Sequence, residues 1–164
     1  FPATMPEDLM SNEIENRLTE LSIVLPQPAN PAANYVPYVV SGNLVFIAGQ
    51  IPFWNGDILH IGKVGVEFDV EDAVKSAKVC GLNIIAQLKE ACGGNLDRVV
   101  RCVKIGVFVN CVDGFTQQPQ VANGVSDLMV EVFGEAGRHA RFAVGTNALP
   151  RNVATEADAV FEIK

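Results

Sequence analysis

A strand-like run from Val99 to Val112 constrains the fold of this chain more than any other feature of the sequence. Its apolar residues recur with a period of two, which predicts one face made of Val99, Val103, Ile105, Val107, Val109 and Cys111. The opposite face is predicted to carry Val100, Cys102 and Phe108. Because both faces are apolar, we expect helices to cover one of them and a sister subunit to cover the other.

Two helical patterns supply the expected cover. Asp69 is the predicted N-cap of a helix from Val70 to about Ala91, which ends at Gly93-Gly94. A second helix is predicted from about Pro119 to Phe133 and closes at Gly134.

The first part of the chain is predicted to be an extension. A short amphipathic helix is predicted from Glu13 to about Ile23, and three prolines then predict an extended strap between Pro26 and Asn34. We therefore divide the chain into an N-terminal helix and proline-rich strap over residues 1–34 and one main domain over residues 35–164. We expect the extension to pack on the outer face and to modulate access to any cleft.

Four further strands complete the predicted sheet. Tyr35 to Val40 and Leu44 to Ile51 flank the turn Ser41-Gly42-Asn43, which predicts a hairpin, and Asn55-Gly56 predicts a second tight turn. The segment from Arg141 to Glu162 is predicted to be a pair of antiparallel strands. The order of elements indicates an α+β fold with two helices packed on one face of a mixed β-sheet.

Arg141 and Glu156 are the candidate site residues within that last strand pair. If the two strands turn near Leu149, the guanidinium and the carboxylate lie side by side and form a site for a small molecule. Two plainer interpretations stay open. Arg141 can be an exposed strand arginine with an ordinary ion pair, and Glu156 and Asp158 can be the solvent side of an edge strand.

Composition excludes several classes of function. A net charge of −7 and scattered basic residues argue against a nucleic-acid partner. The high apolar content, 49% of the residues, predicts a single domain with a full core and some apolar surface buried between subunits. The spacing of the four cysteines fits no zinc site or redox pair, so we expect buried free thiols: Cys80, Cys92, Cys102 and Cys111.

Location is predicted from what the hydropathy pattern lacks. No stretch reaches the roughly 18 consecutive apolar residues of a membrane span, so we expect no membrane contact and a cytoplasmic protein. A cleaved organelle presequence stays open as an alternative. Because the chain starts at Phe1, residues Phe1 to Thr4 can be a processing remnant, with Met5 as a native start.

The common catalytic motifs are missing from the sequence. It holds no Walker loop, dinucleotide fingerprint, HExxH or GxSxG motif, and only two histidines. His60 follows a tight turn and is predicted to be solvated. His139 lies two residues before Arg141 and is a candidate base, although most such histidines are structural.

Two motifs of the main domain stand out together. The N-terminal one runs from Tyr38-Val39-Val40-Ser41-Gly42-Asn43 to Ala48-Gly49-Gln50-Ile51-Pro52. The C-terminal one runs from Ala140-Arg141 through Leu149-Pro150 to Glu156-Ala157. Together they resemble the signatures of the RidA (YjgF-type) family of enamine/imine deaminases, with the family's spacings kept. The resemblance covers about Tyr35 to Ile163, and the extension indicates a longer branch of the family.

This resemblance implies a chorismate-mutase-like fold, a homotrimer with a central barrel and one cleft at each subunit interface. It implies that Arg141 grips the carboxylate of a reactive 2-imino acid and that Glu156 orients the attacking water, with 2-keto acid and ammonia as products and no metal or cofactor. A planar guanidinium suits carboxylates because it binds them through two parallel hydrogen bonds. Tyr38 matches a tyrosine that covers the ligand, although it can equally be a packing aromatic.

The remaining residues of the implied site either match the family less specifically or depart from its usual pattern. The main chain at Ala143 matches a substrate contact, and Gly49 is expected to allow close backbone approach. Phe142 stands where a serine is usual, Ala143 where a cysteine is common, and His139 where a proline is frequent. Ser126 aligns loosely with a polar residue expected from the second helix.

Three functions follow from this resemblance, and the sequence leaves the choice among them open. The first is hydrolysis of small 2-imino and 2-enamino acids such as 2-aminoacrylate or 2-iminobutanoate. The second is a non-catalytic trimeric binding protein for small carboxylate metabolites. The third is endoribonuclease activity, a label that the family also carries and that the acidic charge disfavours.

Overall fold

The computed structural model describes residues 12–164, so the predicted remnant Phe1 to Thr4 and the start at Met5 lie outside it. The elements in chain order are helix α1 (Glu13–Glu20), strands β1 (Tyr38–Ser41), β2 (Leu44–Gln50), β3 (Phe53–Trp54) and β4 (Asp57–Ile58), helix α2 (Val70–Ala91), strand β5 (Val99–Asn110), helix α3 (Gln118–Phe133), and strands β6 (Ala140–Thr146) and β7 (Thr155–Ile163). Among these helices, none combines the length and apolar character that crossing a bilayer requires.

The five longer strands form one sheet in the order β1-β2-β7-β5-β6. All neighbours are antiparallel except β5 and β6, which run parallel, so the sheet is mixed as predicted. Strands β3 and β4 form a separate hairpin at the predicted Asn55-Gly56 turn. The architecture is therefore the predicted α+β class.

Helices α2 and α3 pack side by side on one face of this sheet. Asp69 caps α2 as predicted, because its Oδ1 accepts a hydrogen bond of 2.8 Å from the backbone N–H of Asp72. The two helices approach closely at Gly124, where a Cβ atom would collide with the carbonyl oxygen of Val74. The core between the helices and the sheet is mostly apolar and includes Ile84, Ile85, Leu88, Ile105, Leu128 and Phe161.

The predicted faces of β5 are wrong in its first half. The register shifts between Cys102 and Lys104, where a β-bulge adds a residue to one strand. As a result Cys102 is fully buried beneath the helices, while Val103 is 37% exposed. From Ile105 onward the predicted alternation is confirmed, with Val107 buried against the helices.

The sheet face opposite the helices carries apolar side chains that the single chain leaves exposed. Val39 is 51%, Phe46 44%, Phe108 40% and Val144 43% exposed. Val39 pairs with Phe46 across β1 and β2, and Phe108 pairs with Val144 across β5 and β6, all on the sheet face that we call the open face. An apolar surface of this kind is typical of a protein contact.

The N-terminal extension packs on the helical side of the molecule. Leu18 of α1 is buried in the core, and the carboxylate of Asp97 accepts hydrogen bonds from the backbone N–H groups of Glu13 and Ile14, at 3.1 and 2.9 Å. The strap is tied to α2 by the side chain of Gln87, which donates to the carbonyl of Ala29 at 2.8 Å. The division at residues 34 and 35 stays a prediction.

Candidate functional site

Arg141 and Glu156 do not lie side by side in the described chain. Strand β5 lies between β6 and β7, so the predicted hairpin of the last two strands is wrong. Arg141 pairs with Ile105, whereas Glu156 pairs with Phe108 three positions further along β5. The connection between β6 and β7 allows these strands either to pair directly or to have another strand between them. Strand β5, the most apolar in sequence, takes that central position.

The two side chains also belong to opposite faces of the sheet. Directly paired residues share a face, and Ile105 is fully buried under the helices. Arg141 is therefore on the helical side. Glu156 shares the open face with its partner Phe108. A single chain thus presents two separate half-sites, one at each residue.

The first half-site holds Arg141 against helix α3. Its Nη1 donates to Oδ1 of Asn123 at 2.8 Å and to Oγ of Ser126 at 3.1 Å, and its Nη2 donates to the carbonyl of Pro119 at 3.4 Å. Ser126, which the sequence aligned only loosely, is thus brought into contact with Arg141. These bonds fix the plane of the guanidinium, which is what oriented carboxylate binding requires.

His139 contacts this half-site through Ser126. Its Nδ1 lies 2.6 Å from the carbonyl of Gly137, and because a carbonyl only accepts, Nδ1 is the donor. In the neutral ring Nε2 then accepts from the hydroxyl of Ser126, 2.9 Å away. The predicted base is therefore linked to Arg141 through Ser126.

The second half-site surrounds Glu156 on the open face. Gly49 passes directly beneath its carboxylate, and a Cβ atom at that position would collide with Oε1, so the predicted close backbone approach is present. Burial raises the pKa of Glu156, and the negative charge of Asp158 raises it further. The neighbouring Gln50 is buried and donates to the carbonyl of Ala48 at 2.9 Å.

A cavity of about 280 Å³ opens beside Glu156. The end of the sheet forms its floor, and the N-terminal strap forms one wall. Its lining residues are Ala29, Asn30, Pro31, Ala32, Tyr35, Pro37, Gly49, Gln50, Ile51, Phe53, Pro150, Arg151 and Glu156. A mostly apolar pocket with a few polar groups is the usual form of a small-molecule site.

The remaining predicted site residues lie away from this cavity. Tyr38 pairs with the buried Ile47 and packs against the core on the helical side, which is its plainer interpretation. Phe142 lies on the open face with its ring edge-on to Phe108, the centroids 5.5 Å apart. Ala143 packs against the core from β6.

The sequence missed Arg151, which lines the cavity together with Glu156. Its backbone is left-handed, with φ of 57°, and so is that of Asn152. Two consecutive residues of this kind are unusual outside glycine, and such strain is concentrated at binding sites. The Pro-Arg-Asn sequence after Leu149 was the available sign, since asparagine tolerates this conformation.

The cysteines and His60 belong to neither half-site. The four cysteines are buried and free, as predicted, and burial raises the pKa of Cys80 and of Cys102 to about 12. His60 is half-buried rather than solvated, because its ring packs edge-on against Phe68 with centroids 5.7 Å apart. Burial also lowers the pKa of His60.

Comparison with known proteins identifies related chains. Residues 15–158 match the family described as "YjgF/chorismate mutase-like, putative endoribonuclease". Protein TCP17 of Trypanosoma cruzi is 44% identical over 93% of this chain and 96% of its own length, and RutC family protein PH0854 of Pyrococcus horikoshii is 30% identical over 82% and 89%. The crystal structure of Atu1372, a protein of unknown function from Agrobacterium tumefaciens, is similar with a TM-score of 0.87 and 46% identity, over 94% of this chain and 96% of that one.

Proposed function

Because the chain belongs to the YjgF/chorismate mutase-like family, we propose that it hydrolyses small reactive 2-imino and 2-enamino acids to 2-keto acids and ammonia. One observation carries this proposal. Hydrogen bonds to Asn123 and Ser126 orient the guanidinium of Arg141, and the half-buried carboxylate of Glu156 lies at the edge of a small cavity. Both residues also keep the spacing of the family signature that the sequence resembles.

In the proposed reaction, Arg141 binds the substrate carboxylate through paired hydrogen bonds. Glu156 orients a water molecule, which adds to the imine carbon and forms a carbinolamine. The carbinolamine then expels ammonia as its C–N bond breaks, and a C=O bond remains. The raised pKa of Glu156 favours this role, because a carboxyl group that titrates nearer to neutral pH exchanges protons more readily.

We further propose that two subunits of a homotrimer share each site. Arg141 and Glu156 lie on opposite faces within one chain, so a substrate can meet both only if a neighbour supplies one of them. The position of β6 at the edge of the sheet and the exposed apolar residues of the open face both suit such a contact. Isologous or ring contacts between identical chains commonly build sites in this way.

Mixing two inactive variants tests this arrangement. Arg141→Ala and Glu156→Gln subunits are co-expressed, and hydrolysis of freshly generated 2-iminobutanoate is followed through ammonia release. If each site takes one residue from each of two neighbours, random assembly leaves about a quarter of the sites intact. Activity then returns to about that fraction of the wild-type value.

Two outcomes would contradict the proposal. Mixed trimers that remain inactive are evidence against a shared site. Full activity in the Arg141→Ala variant alone, or no acceleration over buffer in the wild type, is evidence against the hydrolytic function itself.

A second candidate function is capture of small carboxylates without turnover. The departures from the family pattern at Phe142 and Ala143 favour it, since both residues replace groups that are common in the family. In that case 2-oxobutanoate raises the melting temperature while imine hydrolysis stays at the buffer rate. Endoribonuclease action, which the family description includes, is disfavoured by the net charge of −7, and intact RNA after incubation with pure protein excludes it.

A further inference from the structure

Arg151 differs from every other arginine in the described part of the chain. Each of the other five donates at least one hydrogen bond from its guanidinium to a protein acceptor: Arg17, Arg98, Arg101, Arg138 and Arg141. Arg151 has no hydrogen bond or ion pair among residues 12–164, although it lines the same cavity as Glu156. The cavity is therefore lined by one arginine whose guanidinium has no protein partner among those residues.

The turn that carries Arg151 is tied to the rest of the chain by hydrogen bonds. Arg151 and Asn152 both have left-handed backbones, with φ of 57°. Three hydrogen bonds hold Asn152 in place: its N–H donates to the carbonyl of Leu149 at 3.0 Å, its carbonyl accepts from the N–H of Gly62 at 2.7 Å, and its Oδ1 accepts from Nδ2 of Asn110 at 3.2 Å. A strained conformation that the surroundings enforce at a cavity is typical of a residue whose direction matters for binding.

The size and the lining of the cavity limit which ligands Arg151 can bind. The volume of about 280 Å³ lies at the lower end of small-molecule sites, which run from roughly 300 to 1,000 Å³. The strap wall of Pro31, Ala32 and Tyr35 offers no second cation. Arg151 is the one cation among the described lining residues, and a planar guanidinium pairs with a compact carboxylate through two parallel hydrogen bonds.

We propose that Arg151 binds a second acidic group of the ligand, so that the protein prefers small 2-imino acids with two carboxylates. This inference rests on the proposed function, in which Arg141 of a neighbouring subunit holds the 2-carboxylate. Arg151 then holds the carboxylate at the other end, and the reactive carbon lies between them near Glu156. Substrates with an uncharged side chain leave Arg151 unpaired and bind more weakly.

Equilibrium binding of two stable keto acids tests the proposal. The probes are 2-oxoglutarate, which has two carboxylates, and 2-oxobutanoate, which has one. We expect Arg151→Gln to weaken binding of 2-oxoglutarate at least about tenfold and to change binding of 2-oxobutanoate by no more than about twofold. Arg151→Lys keeps the positive charge but lacks the planar guanidinium. Its affinity for 2-oxoglutarate is expected to lie between those of the wild type and Arg151→Gln.

Arg98→Gln is the matched control. It removes the same charge at the opposite end of β7, where Arg98 donates to the carbonyl of Lys164 at 2.9 Å. It is expected to leave the ratio of the two affinities unchanged. Circular dichroism of all variants verifies that Arg151→Gln, a change at an exposed side chain, leaves the fold intact.

The outcomes separate this inference from the proposed function. If 2-oxobutanoate binds, and Arg151→Gln leaves the preference between the two acids unchanged, the role of Arg151 is overturned while the proposed function stands. If neither acid binds to the wild type and no imine is hydrolysed, the proposed function fails and this inference fails with it.

Discussion

The hydroxyl of Ser126 lies 2.9 Å from Nε2 of His139. The same hydroxyl oxygen accepts a hydrogen bond of 3.1 Å from Nη1 of Arg141. Because Nδ1 of His139 is committed to the carbonyl of Gly137, the neutral ring can only accept at Nε2. Ser126 therefore directs its proton toward His139 and its lone pairs toward Arg141.

This geometry predicts a positioning role for His139 that amide variants can separate. A glutamine amide reaches the place of Nε2, so His139→Gln keeps an acceptor for Ser126, whereas His139→Asn reaches only the place of Nδ1 and loses it. We expect KM for 2-iminobutanoate to rise about tenfold in His139→Asn and to stay within about twofold in His139→Gln, with kcat little changed in both. Equal KM values in the two variants would contradict this role.

Neutralising Glu156 is predicted to stabilise the protein at neutral pH. Its pKa in the folded chain is raised, so between the ordinary value of 4.5 and the higher folded value the native state binds more protons than the unfolded state. Stability therefore falls as pH rises through that window. Glu156→Gln removes the loss and is expected to raise the melting temperature at pH 7 by about 1–3 °C.

The same variant contains its own control. Well below pH 4.5 the wild-type carboxyl becomes protonated in both states, so the gain of Glu156→Gln should shrink and then disappear as the pH falls. Calorimetry at pH 7 and pH 4 measures both values. A gain that is equal at the two pH values would mean that the effect comes from packing and not from the charge.

Gly124 is predicted to be irreplaceable at the contact of α2 and α3. A methyl group there meets the carbonyl oxygen of Val74 and comes within 3.1 Å of the Cβ atom of Ala77. Alanine favours a helix by about 1 kcal/mol over glycine, but the backbone carbonyl cannot yield, so we expect Gly124→Ala to destabilise the fold by about 1–3 kcal/mol. Urea denaturation measures the change, with the exposed Asp127→Ala in the same helix as control.

Cys80 and Cys102 are predicted to be unreactive in the folded protein. Burial raises the pKa of both thiols to about 12, so the thiolate is almost absent at pH 8, and neither side chain has any exposed surface. Iodoacetamide at pH 8 should label neither residue in the native state and both in urea, as mass spectrometry of peptides can show. Rapid labelling of Cys102 in the native protein would indicate that the start of β5 opens readily.

Local patterns along the chain were enough to predict the main helices and the family. The period of the apolar residues and the cap at Asp69 were sufficient for α2 and α3, because helices and strands depend mainly on neighbours in sequence. The two signatures containing Tyr38 and Arg141 were sufficient for the resemblance that the family match confirms. These features need no knowledge of which strands meet.

Only the tertiary structure decided how the half-sites are arranged. Strand β5 lies between β6 and β7, which sends Arg141 and Glu156 to opposite faces, and the bulge after Cys102 turns Val103 outward. Strand order and register arise from pairing between distant segments, and a shift by one residue moves every side chain to the other face. The cavity lined by Arg151 and the strap depends on the same long-range packing, so no pattern within either segment could reveal it.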